Sequence, residues 1–255
     1  ILIGLVGSEM CIRDSIESGL RSYDMKMPEE VNRILTDRIS KYLFCPTERA
    51  ITNLKKEGIK DGKETIVKNV GDIMFDAALY YKHKMVAPQD FKEKINNREF
   101  ILATIHRPVN TDNIDNLRQI FTSFNQISAS IPIYLPLHPR TKTKLAKIDN
   151  LQISDNLHIT EPASYFEILF LLENSKYVFT DSGGLQKEAY FFNSPCLVLR
   201  DTTEWLELIE NNAALLSPLN KIVENYQKLS NLKISTKNIY GTGDTGKKIL
   251  NYLNS

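Results

Sequence analysis

From Glu99 onward, short β-branched and aromatic runs alternate with stretches of helical periodicity. That alternation constrains the fold more than any other feature of the chain. The runs at 100–105, 131–137, 157–159, 177–180, 195–199 and 213–216 predict strands. Between them, 113–127 places Ile114, Leu117, Ile120, Phe121, Phe124 and Ile127 at helical spacing. Helices are also predicted over 165–172, 185–192, 204–211, 220–229 and 245–253. Strands of this length separated by helices predict an α/β fold with a parallel, doubly wound sheet. Upstream, 42–46 predicts a strand, Thr47 a cap, 48–58 a helix closed by Gly58, 65–70 a strand and 72–84 a helix. The polar stretch 86–98 predicts an interdomain connection.

In such sheets ligands bind beyond the carboxyl ends of the strands. The polar residues there are His106 and Arg107, then His138 and Arg140, then Ser182, Gly183 and Gly184, then Arg200. Arginine forks and helix N-termini both suit phosphate oxygens. The run from Thr180 to Phe192 predicts a strand, a tight turn over Asp181–Gly184 and a helix from Leu185. Its glycines allow a ligand close to the backbone. Glu188, one turn on, is placed to accept from sugar hydroxyls.

A net charge of +1 over 255 residues gives no electrostatic case for nucleic acid or an acidic membrane surface. No apolar run approaches the roughly 20 residues of a membrane span. Cys45 and Cys196 lie in strand-like apolar runs and read as buried thiols of a reducing, cytoplasmic compartment. No metal-ligand spacing and no complete dinucleotide fingerprint is present, so no metal or cofactor is expected. Residues 1–15, with VGSEMCIRDS, resemble translated sequencing-adapter sequence and are set aside from the fold.

The segments ESGLRSYDMKMPEEVNR, CPTERAITNLKKEG, ATIHRPVNTDN, PLHPRTK, TDSGGLQKEA and LRDTTEW resemble, in order, the non-hydrolysing UDP-N-acetylglucosamine 2-epimerases. The resemblance implies two Rossmann-like domains in a B-type glycosyltransferase arrangement, the first incomplete. Residues 16–96 would be the later part of the first domain and 97–238 the UDP-binding domain. Residues 239–255 would be a C-terminal helix returning to the first. It implies C2 epimerisation of UDP-GlcNAc to UDP-ManNAc by elimination and re-addition of UDP through a 2-acetamidoglucal. A UDP-sugar partner, a homodimer at full length and a role in surface-polysaccharide precursors follow from the same resemblance.

By the same comparison Glu17 and Glu29 match catalytic glutamates, with Glu30 the neighbouring alternative, and His106 matches a required histidine. Arg107 and His138 match positions lining the nucleotide-sugar cleft. Ser182, Gly183 and Gly184 match the diphosphate-binding turn, and Glu188 a ribose-binding glutamate. Two carboxylates in one dry cleft would have their pKa values pushed apart, as an acid and a base need. Val109 stands where many relatives have an acid, and Ser15 where many have a histidine. The family's N-terminal phosphate-side loop and catalytic aspartate have no counterpart here, so the chain as given is expected to be inactive or very weak. Three alternatives compete: an epimerase of UDP-diacetamido-uronic acid, a B-type glycosyltransferase and a UDP-binding pseudoenzyme.

Overall fold

The structure, a computed structural model, describes residues 14–25, 27–234 and 238–254. Residues 1–13 of the adapter-like segment lie outside the described residues. The chain divides into two compact units, one holding 14–80 and 238–254, the other 81–234.

The first unit carries a three-stranded parallel sheet in the order β1-β2-β3: β1 Asp14–Ile16, β2 Tyr42–Cys45 and β3 Ile66–Asn69. Asp14 and Ser15, set aside on the sequence, are part of this sheet and pair with Tyr42 and Leu43. Helices α1 Pro28–Ile39, α2 Glu48–Lys56 and α3 Ile73–Tyr81 follow in order. The Thr47 hydroxyl accepts from the Ala50 N–H and caps α2, as its sequence signal predicts. The C-terminal stretch belongs to this unit. Asp72 N–H donates to the Tyr240 carbonyl, and Tyr252 packs near Phe44 on β2. Gly71 and Gly241 approach so closely that a Cβ on Gly71 would meet the Tyr240 carbonyl oxygen at 2.9 Å. That approach and their left-handed backbones (φ +91° and +87°) require glycine.

The first α-helix of the second unit is α4 Phe91–Ile95, inside the stretch predicted to hold an interdomain connection. Phe91 packs its ring against Phe100, Tyr134 and Phe170, so this segment is part of the unit's own core. Six parallel strands follow: β4 Ile101–Thr104, β5 Ile133–Pro136, β6 Leu157–Thr160, β7 Tyr177–Thr180, β8 Cys196–Val198 and β9 Ala214–Leu216. Their order in the sheet is β6-β5-β4-β7-β8-β9. The chain thus starts in the middle, works to one edge, returns and works to the other, as a Rossmann-type sheet does. The intervening helices are α5 Pro108–Thr111, α6 Ile114–Ser128, α7 Pro139–Leu145, α8 Tyr165–Asn174, α9 Gly183–Phe191, α10 Leu206–Glu210 and α11 Ile222–Leu229. Helix α12 Thr245–Leu253 closes the first unit.

The core of the second unit follows from two periodicities. Ile101 and Ala103 of β4, with Ile105 just beyond it, share one face of the sheet, as do Ile133 and Leu135 of β5 with Leu137 just beyond. Leu117, Ile120, Phe121, Phe124 and Ile127 of α6 join the same cluster. The buried Phe124 side chain meets Phe121 and Phe179. Among the described residues no helix is long and apolar enough to cross a membrane.

Candidate active site

The strand order reverses between β4 and β7, and that switch point is where such sheets open a crevice for ligands. The two strands are in register there, Thr104 opposite Thr180, with their hydroxyl oxygens 2.7 Å apart. The next residues of each strand carry the site. Asp181, after β7, is fully buried. Its carboxylate accepts from the backbone N–H groups of His106 and Arg107 and from Asn110 Nδ2. It also lies 2.9 Å from His106 Nδ1. The His106 ring is 58% exposed, so one edge faces the buried acid and the rest faces out. Hydrogen bonding to Asp181 holds the His106 pKa above the ordinary histidine value, outweighing partial burial. Burial pushes the Asp181 pKa up, yet His106, Asn110 and the Arg107 backbone N–H together keep it below the ordinary carboxylate range.

Sequence reasoning counted Asp181 only as a turn residue. The structure makes it the buried anchor that ties the loop after β4 to the end of β7.

The glycines also sit differently from the sequence expectation. Ser182 is the N-cap of α9, its hydroxyl accepting from Leu185 N–H, and the helix begins at Gly183. The glycines are therefore the first turn of the helix rather than a turn before it. First-turn N–H groups have no partner within the helix, and the dipole there favours an anion. The two glycines differ in their surroundings. A Cβ on Gly183 would stand 2.5 Å from Glu204 Oε1, whereas one on Gly184 would meet nothing within 4 Å. Gly183 makes room for the protein; Gly184 faces open space.

The remaining residues of the rim fall into two groups. His138 is exposed and caps α7, its Nδ1 accepting from the Arg140 N–H, while the exposed Arg140 side chain reaches Asp112 at 3.4 Å. Arg107 is half-buried beside His106. Arg200 is buried and its guanidinium pairs with Glu204 at 3.0 Å, both side chains 5% exposed. Arg200 thus meets a carboxylate that packs over Gly183. Glu188 is buried. Burial, and next the Glu188 carboxylate, push the Tyr165 phenol up to about 12. Lys187, also buried, places its ammonium 4.3 Å from the centre of the Trp205 ring.

In the first unit Glu17 lies just after β1 with φ +64°, a left-handed conformation that a non-glycine residue adopts at a cost. The loop that holds it is heavily tied. Gly19 N–H and Arg21 both donate to buried Asp37, and Arg21 pairs with Glu57 at 2.7 Å. Asn53 donates to the Gly19 carbonyl. Of the adjacent glutamates, Glu29 is exposed and Glu30 fully buried. Glu30 accepts from Ser22 N–H, Tyr23 N–H and Arg33, so it holds the loop rather than facing solvent. This separates the two neighbours, Glu29 as the available carboxylate and Glu30 as a structural one.

The profile of the UDP-N-acetylglucosamine 2-epimerase family matches residues 15–254. A Methanococcus maripaludis protein described as a UDP-N-acetylglucosamine 2-epimerase homolog is 42% identical across 98% of this chain and 71% of its own length. A Pseudomonas aeruginosa UDP-2,3-diacetamido-2,3-dideoxy-D-glucuronate 2-epimerase is 43% identical across 93% of this chain and 66% of its own. The crystal structure of Methanocaldococcus jannaschii UDP-GlcNAc 2-epimerase with UDP-GlcNAc and UDP superposes with a TM-score of 0.84 at 37% identity. That match covers 98% of this chain and 71% of the other. The chain therefore spans about two thirds of the length of these relatives. A Rossmann-type strand order, an anion-ready helix start at its switch point and a match running almost end to end converge on one conclusion. The chain belongs to the UDP-N-acetylglucosamine 2-epimerase family.

Proposed function

We propose that this fold serves the inversion of C2 in UDP-GlcNAc, giving UDP-ManNAc, by elimination and re-addition of UDP across a 2-acetamidoglucal. The C2 hydrogen is not next to a carbonyl, so direct deprotonation would leave an unstabilised carbanion. Loss of UDP avoids it, provided that fixed donors hold the departing diphosphate. The observation that carries this reading is the start of α9 at the switch point, with Gly184 open to a ligand and His106 beside it. It is supported by the bound UDP-GlcNAc and UDP of the M. jannaschii relative.

In this reading the N–H groups of Gly183 and Gly184, with Ser182, hold the diphosphate, and His106 donates to it. Arg107, His138 and Arg140 line the nucleotide sugar, and Glu188 takes the ribose. Arg200 acts through Glu204. Glu17 and Glu29 are the carboxylates that move protons at C2. The first unit is the later part of one Rossmann-like domain and the second the UDP-binding domain. The complete protein works as a cytoplasmic homodimer without metal or nicotinamide.

The identity to the P. aeruginosa enzyme favours a second substrate, a UDP-linked diacetamido-uronic acid. Incubating the complete gene product with each UDP-sugar in deuterated water separates the readings. Epimerisation with deuterium entering C2 is the expected result, and the faster substrate names the activity. UDP release only with an added acceptor would overturn the reading in favour of a transferase. UDP binding without exchange at C2 of either sugar would overturn it in favour of a pseudoenzyme.

A further inference from the structure

Asp181 is a buried acid with a dense set of donors, yet the proposed chemistry gives it no part. Its partners show how the donors are arranged. Two backbone N–H groups and Asn110 Nδ2 hold the carboxylate in place, and His106 Nδ1 lies 2.9 Å from Oδ1. A carboxylate can only accept, so Nδ1 must carry the proton of that contact. This fixes the ring tautomer and leaves Nε2 as the nitrogen on the exposed side. The charged groups facing His106 are Asp181 from β7, Arg107 from its own loop and Arg200 from the loop after β8. The two arginines disfavour a third cation, and Asp181 counters them.

We propose that Asp181 is a positioning residue of the diphosphate site. It holds His106 with Nδ1–H toward the protein and keeps the ring cationic, so that Nε2–H meets a phosphate oxygen of UDP. The inference rests on the UDP reading of this rim. A charge-assisted bond of this kind is about twice as strong as a neutral one and far more sensitive to pH. Asp181 does not touch the ligand; it acts through the histidine.

The histidines are His83, His106, His138 and His158, few enough to follow one by one in the isolated chain by nitrogen-15 NMR. The His106 signals are assigned by their loss in His106→Gln. The expected result is that His106 titrates above the ordinary histidine value and, once neutral, shows a protonated Nδ1. Asp181→Asn keeps the shape and removes the charge, so His106 should then titrate at lower pH. UDP affinity of wild type should exceed that of Asp181→Asn by roughly tenfold at pH 6 and by much less at pH 8.5. Both proteins see the same ionisation of UDP, so the difference between them isolates the imidazole. A purely structural role for Asp181 would lower affinity equally at both pH values, and that outcome overturns the proposal. So does a wild-type His106 that titrates below the ordinary value or is protonated on Nε2 alone when neutral, a result that does not depend on Asp181→Asn folding. Failure of UDP to shift the Ser182–Gly184 amides would instead overturn the site assignment, whatever the histidine does.

Discussion

Gly183 and Gly184 are neighbours in one helix turn, and alanine at each should fail in a different way. Alanine in place of glycine in a helix gains up to about 1 kcal/mol, less in the first turn. At Gly184 nothing opposes that gain, because a Cβ meets no atom within 4 Å. Gly184→Ala should therefore melt at or slightly above the wild-type temperature. Its methyl group occupies the space in which a phosphate would approach the backbone, so UDP affinity should fall at least about tenfold, equivalent to roughly 1.4 kcal/mol. At Gly183 the new methyl stands 2.5 Å from Glu204 Oε1 and displaces a buried carboxylate from Arg200. Breaking a buried pair outright costs about 3–5 kcal/mol, and partial relaxation of the Glu204 side chain brings the net cost of Gly183→Ala to roughly 2 kcal/mol. For a unit of this size that is a melting point lower by about 4–8 °C. Thermal melts and isothermal titration with UDP read both quantities. A Gly184→Ala protein that binds UDP as wild type does would refute the placement of the diphosphate at this helix start. A Gly183→Ala protein as stable as wild type would refute the packing role of Glu204.

Three further outcomes follow from the same geometry. The His106 pKa is raised in the folded state, so its contribution to stability is complete below the ordinary histidine value and lost as pH rises through the folded value. His106→Gln should therefore lower the melting temperature more at about pH 5.5 than at about pH 9; the reverse order would contradict the ion pair with Asp181. Thr47→Ala removes the cap on α2 and should cost about 1 kcal/mol in urea denaturation. Cys45 and Cys196 are buried, and burial pushes the Cys45 thiol up to about 12 and Cys196 higher still. Neither should react with a thiol reagent until the protein unfolds, which mass mapping of labelled peptides would show.

The second unit was largely legible because its buried positions obey the patterns that sequence reading looks for. Strands β4 and β5 are buried on both faces and read as short unbroken apolar runs, and α6 repeats every three to four. Helix α1 was not legible for the opposite reason. Its fully buried residues are Glu30 and Asp37, while Leu35 and Ile39 are exposed, so hydrophobic periodicity points the wrong way. Polar residues bury there because the loop after β1 supplies their hydrogen bonds, and no local pattern shows that. The anchor role of Asp181 was hidden likewise, since its partners His106 and Asn110 stand 75 and 71 residues away. Pairing of Arg200 with Glu204 was within reach, because the two stand only four residues apart between a predicted strand end and a predicted helix start.

The return of the last helix to the first unit has a consequence for biosynthesis. Gly246 donates to Asp76 across 170 residues, and Tyr240 accepts from Asp72. The first unit is thus made of two stretches of chain with the whole second unit spliced between them. A ribosome emits the opening stretch long before the closing one, whereas the second unit emerges in a single piece and can fold as soon as it appears. During that interval β1 to β3 lack the partner that Tyr252 provides to Phe44. The second unit can therefore fold before the first, which is completed only once residues 238–254 have been made. A short C-terminal deletion would be felt at the opposite end of the sequence, in the unit that carries Glu17 and Glu29.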